Sequence, residues 1–316
     1  MLMHNVRRLL LATLALNQAQ PQVMLAGKLI VMLALFTNIT AIILYIIAGI
    51  YCLIALRENT SDQKEEKQLA RTESPLETKV FVLQPNLLKL IALAIAVHGI
   101  GAYSVIVKPE GLALGFFKIS SLIAWCINLI VLISGLRKPL DNLWLFLLPI
   151  SIIAVTISLL GHSPFWQQIT LGVSTHILFS ILAYSLFTIA FLQAMLLTWQ
   201  NYQLKNHLTT ARVILFMPPL ETMETLLFEI IWVGQIFLTI GIVIGIIYID
   251  DIFAQHLAHK TVLSLLAWLV FAGLLWGKYW IGWRGNTSIR WIVTGFFLLM
   301  LAFYGSKLVL EILLQR

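Results

Sequence analysis

A chain of 316 residues, 60% of them hydrophobic and only 11% charged, carries more apolar surface than a soluble domain can hide. The formal net charge of +7 does not point to nucleic acid, because Lys and Arg gather at the ends of apolar runs, where they anchor helices and meet anionic headgroups. Cys52 and Cys126 both fall inside apolar runs, which excludes a disulfide framework or a Cys-x-x-Cys pair and makes them small packing residues.

The N-terminal segment, residues 1–27, places Arg7 and Arg8 before a short apolar run from Leu9 to Leu16. The outline is that of a leader, but no Ala-x-Ala site follows, so the segment reads as amphipathic or as an unprocessed leader. Eight apolar stretches follow, at roughly 28–56, 86–107, 112–136, 142–160, 172–199, 225–249, 260–277 and 291–313. Each is close to the ~20 residues a helix needs to cross a bilayer. They predict an all-α fold, a polytopic membrane bundle of about eight transmembrane helices with every backbone amide satisfied inside its own helix. Between the first two, residues 57–85 form the one long polar connection, with Lys64, Glu65, Glu66 and Lys67 marking a solvated helix or linker. Residues 86–316 then form a seven-helix membrane domain. No internal repeat supports an inverted-repeat transporter.

Basic residues set the orientation. The odd-numbered connections carry twelve Lys and Arg, including Arg57, Lys64, Arg137, Lys138, Lys205, Arg284 and Arg290, whereas the even ones carry only Lys108 and Lys260. The positive-inside rule puts the odd connections in the cytoplasm and both termini outside, against the local bias of Arg7, Arg8 and Lys28.

Ionisable groups at membrane depth are costly and so are candidates for function. His98 lies near the middle of the second span, and His176 about one turn inside the fifth. His259 opens the seventh span beside Lys260, with His256 one turn earlier; Glu229 lies near the cytoplasmic start of the sixth. The orientation gathers His176, His256 and His259 at the outer leaflet, with His162 in the neighbouring connection. Two imidazoles from separate helices suit the axial positions of a haem iron, and His176 with His259 meets that requirement. A buried histidine can equally bond a neighbouring helix, which is the default for His98; its alternatives are an inner ligand or a proton relay. Glu229 is close enough to the interface to reach water or Arg212. The aromatic run Trp276 to Trp283 falls at the cytoplasmic end of the seventh span and reads as an interfacial belt more readily than as a porphyrin shelf. No catalytic triad, carboxylate pair, Walker loop or zinc spacing is visible, so no enzyme is predicted.

Several segments carry a resemblance to a known family. They are Thr175-His176-Ile177-Leu178, the run to Trp199-Gln200-Asn201-Tyr202, Met217-Pro218-Pro219-Leu220-Glu221, His259-Lys260-Thr261 through Trp268, Gly282-Trp283-Arg284-Gly285 and Ala302-Phe303-Tyr304-Gly305. Together they resemble the cytochrome c assembly superfamily of CcsA and CcmC type, nearest its YpjD/HemX-like inner-membrane branch. The resemblance implies a multi-pass protein of the bacterial inner membrane that binds haem non-covalently and handles it with other cytochrome c biogenesis components. It implies membrane lipid and no nucleic acid as partners, and it places His176 on the first external histidine. The sequence also departs from that pattern. Where a tryptophan-rich loop belongs, residues 248–256 read Tyr-Ile-Asp-Asp-Ile-Phe-Ala-Gln-His, and no histidine stands near Trp276 for the second ligand. His259 is the candidate replacement on the residues' own evidence. Two alternatives remain: a haem-free permease or transporter accessory subunit using His98, Asn128 and Gln235, and a membrane regulator of haem biosynthesis acting through residues 57–85.

Overall fold

The structure, a computed structural model, describes residues 29–55, 57, 84–108, 111–113, 115–161, 169–206, 217–248 and 258–305. Within them stand eight helices long and apolar enough to cross a membrane. They are α1 (Leu29–Ala55), α2 (Pro85–Ile106), α3 (Phe116–Gly135), α4 (Trp144–Leu160), α5 (Leu171–Lys205), α6 (Leu220–Tyr248), α7 (Ala258–Trp276) and α8 (Asn286–Met300). The protein is a polytopic helical membrane protein. A minute antiparallel hairpin, Val107–Lys108 with Gly111–Leu112, follows α2.

Local chemistry sets the helix ends. Pro85 opens α2, where its missing N–H costs nothing. Thr170 caps α5, its Oγ1 accepting from the Val173 N–H. Past Trp276 the chain widens into a π-helical turn, Gly277–Ile281. That turn stops at Gly282, whose φ of 78° is left-handed and suits glycine, and Trp283 N–H closes it on the Gly277 carbonyl at 3.1 Å. A second π-helical turn, Leu301–Gly305, ends α8.

Helix α5 is the spine. It packs antiparallel along α6, from Gly172 beside Tyr248 at one end to Gln200, whose Nε2 donates to the Pro218 carbonyl, at the other. Glycines on α6 permit this approach: a Cβ on Gly234 would already lie 3.3 Å from the Phe187 ring. The same Phe187 stacks on Phe271 of α7 with centroids 3.8 Å apart, and Phe191 stacks on Phe296 of α8 at 4.3 Å. On the other side, α1 to α4 close around Tyr45, Ile91, Val131, Trp144 and Leu147, all essentially inaccessible. Cys52 and Cys126 are buried free thiols in this core. The outward faces of α1 stay apolar and exposed, from Leu29 and Phe36 to Leu53, as lipid-facing surface must be.

The span limits differ most at the charged ends of α5, α6 and α8, the last starting five residues before 291. Helix α5 runs six residues beyond position 199, and α6 starts five before 225. Polar residues there leave the hydropathy signal while the backbone ladder continues through the interface.

Candidate functional site

One end of the bundle carries His176 and His259. The Nδ1–H of His176 donates to the Gly241 carbonyl on α6 at 2.7 Å. The ring lies over Gly245, one turn on, where a Cβ would come within 2.9 Å of Nδ1. This bond fixes the tautomer, so Nε2 is the nitrogen with a free lone pair. Among the described residues Nε2 has no hydrogen-bond partner. The ring is part-buried, neither sealed in the core nor loose in solvent.

His259 stands exposed in the first turn of α7, at the same end. Contacts along α6 fix its depth. Trp268 Nε1 donates to Thr239 at 2.8 Å, and Gln235 donates to the Trp268 carbonyl at 3.2 Å. His259 lies nine residues before Trp268, about 13 Å closer to the start of α7. That places it within about two turns of His176 along the axis, on a different helix against the same α6. His162 and His256, and all of the 249–257 stretch, lie outside the described residues. Among the described residues no three His, Cys, Asp or Glu converge as a metal-ion site.

His98 belongs to neither histidine. It is fully buried, and both ring nitrogens are engaged: Nδ1 lies 3.1 Å from the Tyr45 hydroxyl on α1, Nε2 3.0 Å from the Ser121 hydroxyl on α3. Asn128 extends the network, with Nδ2 donating to Ser151 of α4 at 2.5 Å and lying 3.4 Å from Tyr45. Four helices thus meet at one polar knot. Tyr45, Ser121 and Ser151 escaped the sequence analysis because their partners sit tens of residues away and nothing in a hydropathy profile pairs them.

The opposite end is charged. Glu224 of α6 takes Lys278 at 3.3 Å and Arg284 at 3.4 Å, tying the α7–α8 turn down, while Lys278 lies 4.4 Å over the Phe228 ring. Glu229 pairs with Lys138 of the α3–α4 connection. Lys138 therefore fills the role that sequence alone offered to Arg212, which lies outside the described residues. The aromatic run sits at this end as well: Trp276, Tyr279 and Trp280 are exposed, Trp283 packs against Trp291 at 5.0 Å, and Trp232 donates to Tyr279 at 3.0 Å. It cannot stack on a group held by His176.

A multi-pass helical bundle with one tautomer-fixed histidine at a rim is the class the fold defines. The sequence narrows it: residues 85–314 match the family model of the cytochrome C assembly protein, and the chain belongs to that family. It is 37% identical over 149 residues to the inner membrane protein YpjD of Escherichia coli K12, covering 46% of this chain and 55% of that protein. It is 27% identical over 199 residues to an uncharacterized 28.8 kDa protein of Azospirillum brasilense, covering 61% and 73%. The cytochrome c biogenesis protein CcsA of Nostoc punctiforme is 30% identical over 90 residues, 28% of this chain and 26% of that protein. The chain thus spans about half the length of the YpjD relatives it matches. No solved structure matches.

Proposed function

We propose that this chain is a bacterial inner-membrane protein that binds haem non-covalently and handles it for cytochrome c assembly. The observation that carries the reading is the His176 bond to Gly241, which presents Nε2 as a ligand nitrogen and fixes the ring that bears it. The donor set fits haem better than a bare metal ion, since haem asks the protein for two axial ligands and brings four nitrogens of its own. His176 would hold one face, and His259, exposed at the same end, the other. Haem so held would supply an iron that accepts imidazole; the chain's contribution is to orient His176, whose ring Gly245 makes room for by lacking a Cβ. The count of basic residues puts this end outside, with both termini, where c-type cytochromes mature. The names of the relatives, an inner membrane protein and a cytochrome c biogenesis protein, agree with this reading.

His98 is assigned a structural role here, because a nitrogen already bonded to Tyr45 or Ser121 has no lone pair or proton to spare. The same knot argues against a permease path through His98, since both its ring nitrogens are spent on neighbouring helices, and it holds Asn128 in place through Nδ2.

The test is absorption spectroscopy of protein purified in mild detergent from haem-replete cells. Wild type shows a bis-imidazole Soret band that His176→Ala removes. A folded wild type without colour overturns the reading.

A further inference from the structure

At the charged end of the bundle, one ridge of α6 changes its chemistry with depth. Glu224, Phe228, Trp232 and Ile236 follow one another at intervals of four residues and so share a face of the helix. Glu224 holds Lys278 and Arg284, and the Lys278 ammonium lies 4.4 Å over the Phe228 ring. Two turns from Glu224, about 12 Å deeper, Trp232 donates to the Tyr279 hydroxyl at 3.0 Å. Ile236, one turn further in, is apolar and exposed, and Trp276 and Trp280 stand exposed on either side of Tyr279 in the chain.

The loop after α7 fixes the place of Arg284. Trp283 is wedged onto Gly277, where a Cβ would collide with the indole, and packs on Trp291. Gly282 and Gly285, with φ of 78° and 59°, bend the chain on either side. Arg284 is thereby held outward, its side chain 61% exposed, and among the described residues it is engaged only through Nε, by Glu224 at 3.4 Å.

Charge decides what fits here. The start of α6 and the α7–α8 turn carry Lys278, Arg284 and Arg290 against Glu221 and Glu224, because Glu229 is spent on Lys138. One positive charge is left over at the membrane surface. A zwitterionic headgroup leaves it unmatched, whereas a headgroup of net charge −1 balances it. The depth profile agrees. Each headgroup zone is about 5–7 Å thick, so the ridge passes phosphate, glycerol esters and upper acyl chains in turn. The two Nη groups of Arg284 suit phosphate oxygens. Tyr279, whose oxygen accepts from Trp232, keeps its O–H for an ester carbonyl. Trp276 and Trp280 supply flat amphipathic rings at the ester level.

We propose that this corner, where α6 meets the α7–α8 turn, binds one anionic glycerophospholipid with Arg284 as its phosphate anchor. The site lies at the opposite end from His176, and it depends neither on haem nor on the direction in which the chain crosses the membrane.

Native mass spectrometry tests this on the full chain, delipidated in mild detergent and re-supplied with phosphatidylglycerol or phosphatidylcholine. Wild type retains phosphatidylglycerol about fivefold better, the factor that one cation near an anionic surface carries. Arg284→Gln removes the preference, and Glu224→Gln, which releases both cations from their carboxylate, strengthens it. That opposition separates a lipid site from a mere staple for the turn, since both substitutions break the same ion pair and a staple loses by each. Glycerol 3-phosphate, the headgroup without its chains, does not displace the lipid at matched concentration. Arg284 is largely exposed, so its variant folds. The proposal is overturned if wild type holds the two lipids equally, if Arg284→Gln keeps the preference, if both substitutions shift retention the same way, or if glycerol 3-phosphate displaces the lipid.

Discussion

His98 and His176 both sit at membrane depth, and the two halves of the bundle use them in different ways. Around His98, helices α1 and α3 each contribute a side chain, and both imidazole nitrogens are consumed. Around His176 only α6 contributes, through a single backbone carbonyl, and one nitrogen is left over. The same residue type thus serves as a rivet in one half and, in the function proposed above, as a ligand in the other. What separates the roles is how many partners the neighbouring helices bring within reach.

The sharpest way to break this comparison is to remove each ring in turn. His98→Ala strands Tyr45 and Ser121 and leaves a void, with an expected loss of about 3 kcal/mol in unfolding free energy, read by thermal or denaturant unfolding in detergent. Its folded fraction keeps the wild-type haem signature. His176→Ala does the reverse, losing the signature at nearly wild-type stability; if both variants behaved alike, the distinction would collapse.

A subtler pair sharpens it. Gly245→Ala places a methyl 2.9 Å from His176 Nδ1 and must push the ring, whereas on Gly241 the methyl meets Ser180 Oγ at an ordinary 3.5 Å. Haem titration is expected to show about tenfold weaker binding for Gly245→Ala, some 1.4 kcal/mol, and none for Gly241→Ala. Both changes improve helix propensity, so general unfolding cannot produce that contrast.

At the charged end the expected effect is smallest. Glu224→Gln frees Lys278 and Arg284, and because both ends of that cluster touch solvent the loss is about 1 kcal/mol or less, read as a small drop in melting temperature that high salt erases.

Most of the fold was legible because the bilayer imposes a length and an apolar composition on every span. Pro85 and the polar residues near Arg137 stop their spans within a residue or two of where hydropathy drops. The fifth and sixth spans were misjudged at their charged ends, where Gln200 to Lys205 and Glu221 to Glu224 stay helical in the polar interface. The site was legible in part. Intramembrane histidines stand out on cost alone, but which nitrogen is free depends on a carbonyl 65 residues away. Tyr45 and Ser151 could not be found that way, because their role exists only once α1 and α4 are set against α3.

The length of α5 has a mechanical consequence. Thirty-five residues of unbroken helix extend about 52 Å, against a hydrocarbon core of about 30 Å. Even tilted by about 40°, the steep end of what membrane helices adopt, only some 26 residues fit inside. The remainder lies outside the hydrocarbon core, in the headgroup zone or beyond it, and ends in exposed Asn201, Tyr202 and Lys205. Because the helix is unbroken from Leu171 to Lys205, those polar residues and His176 are two ends of one rod, and neither end can shift along its axis without the other.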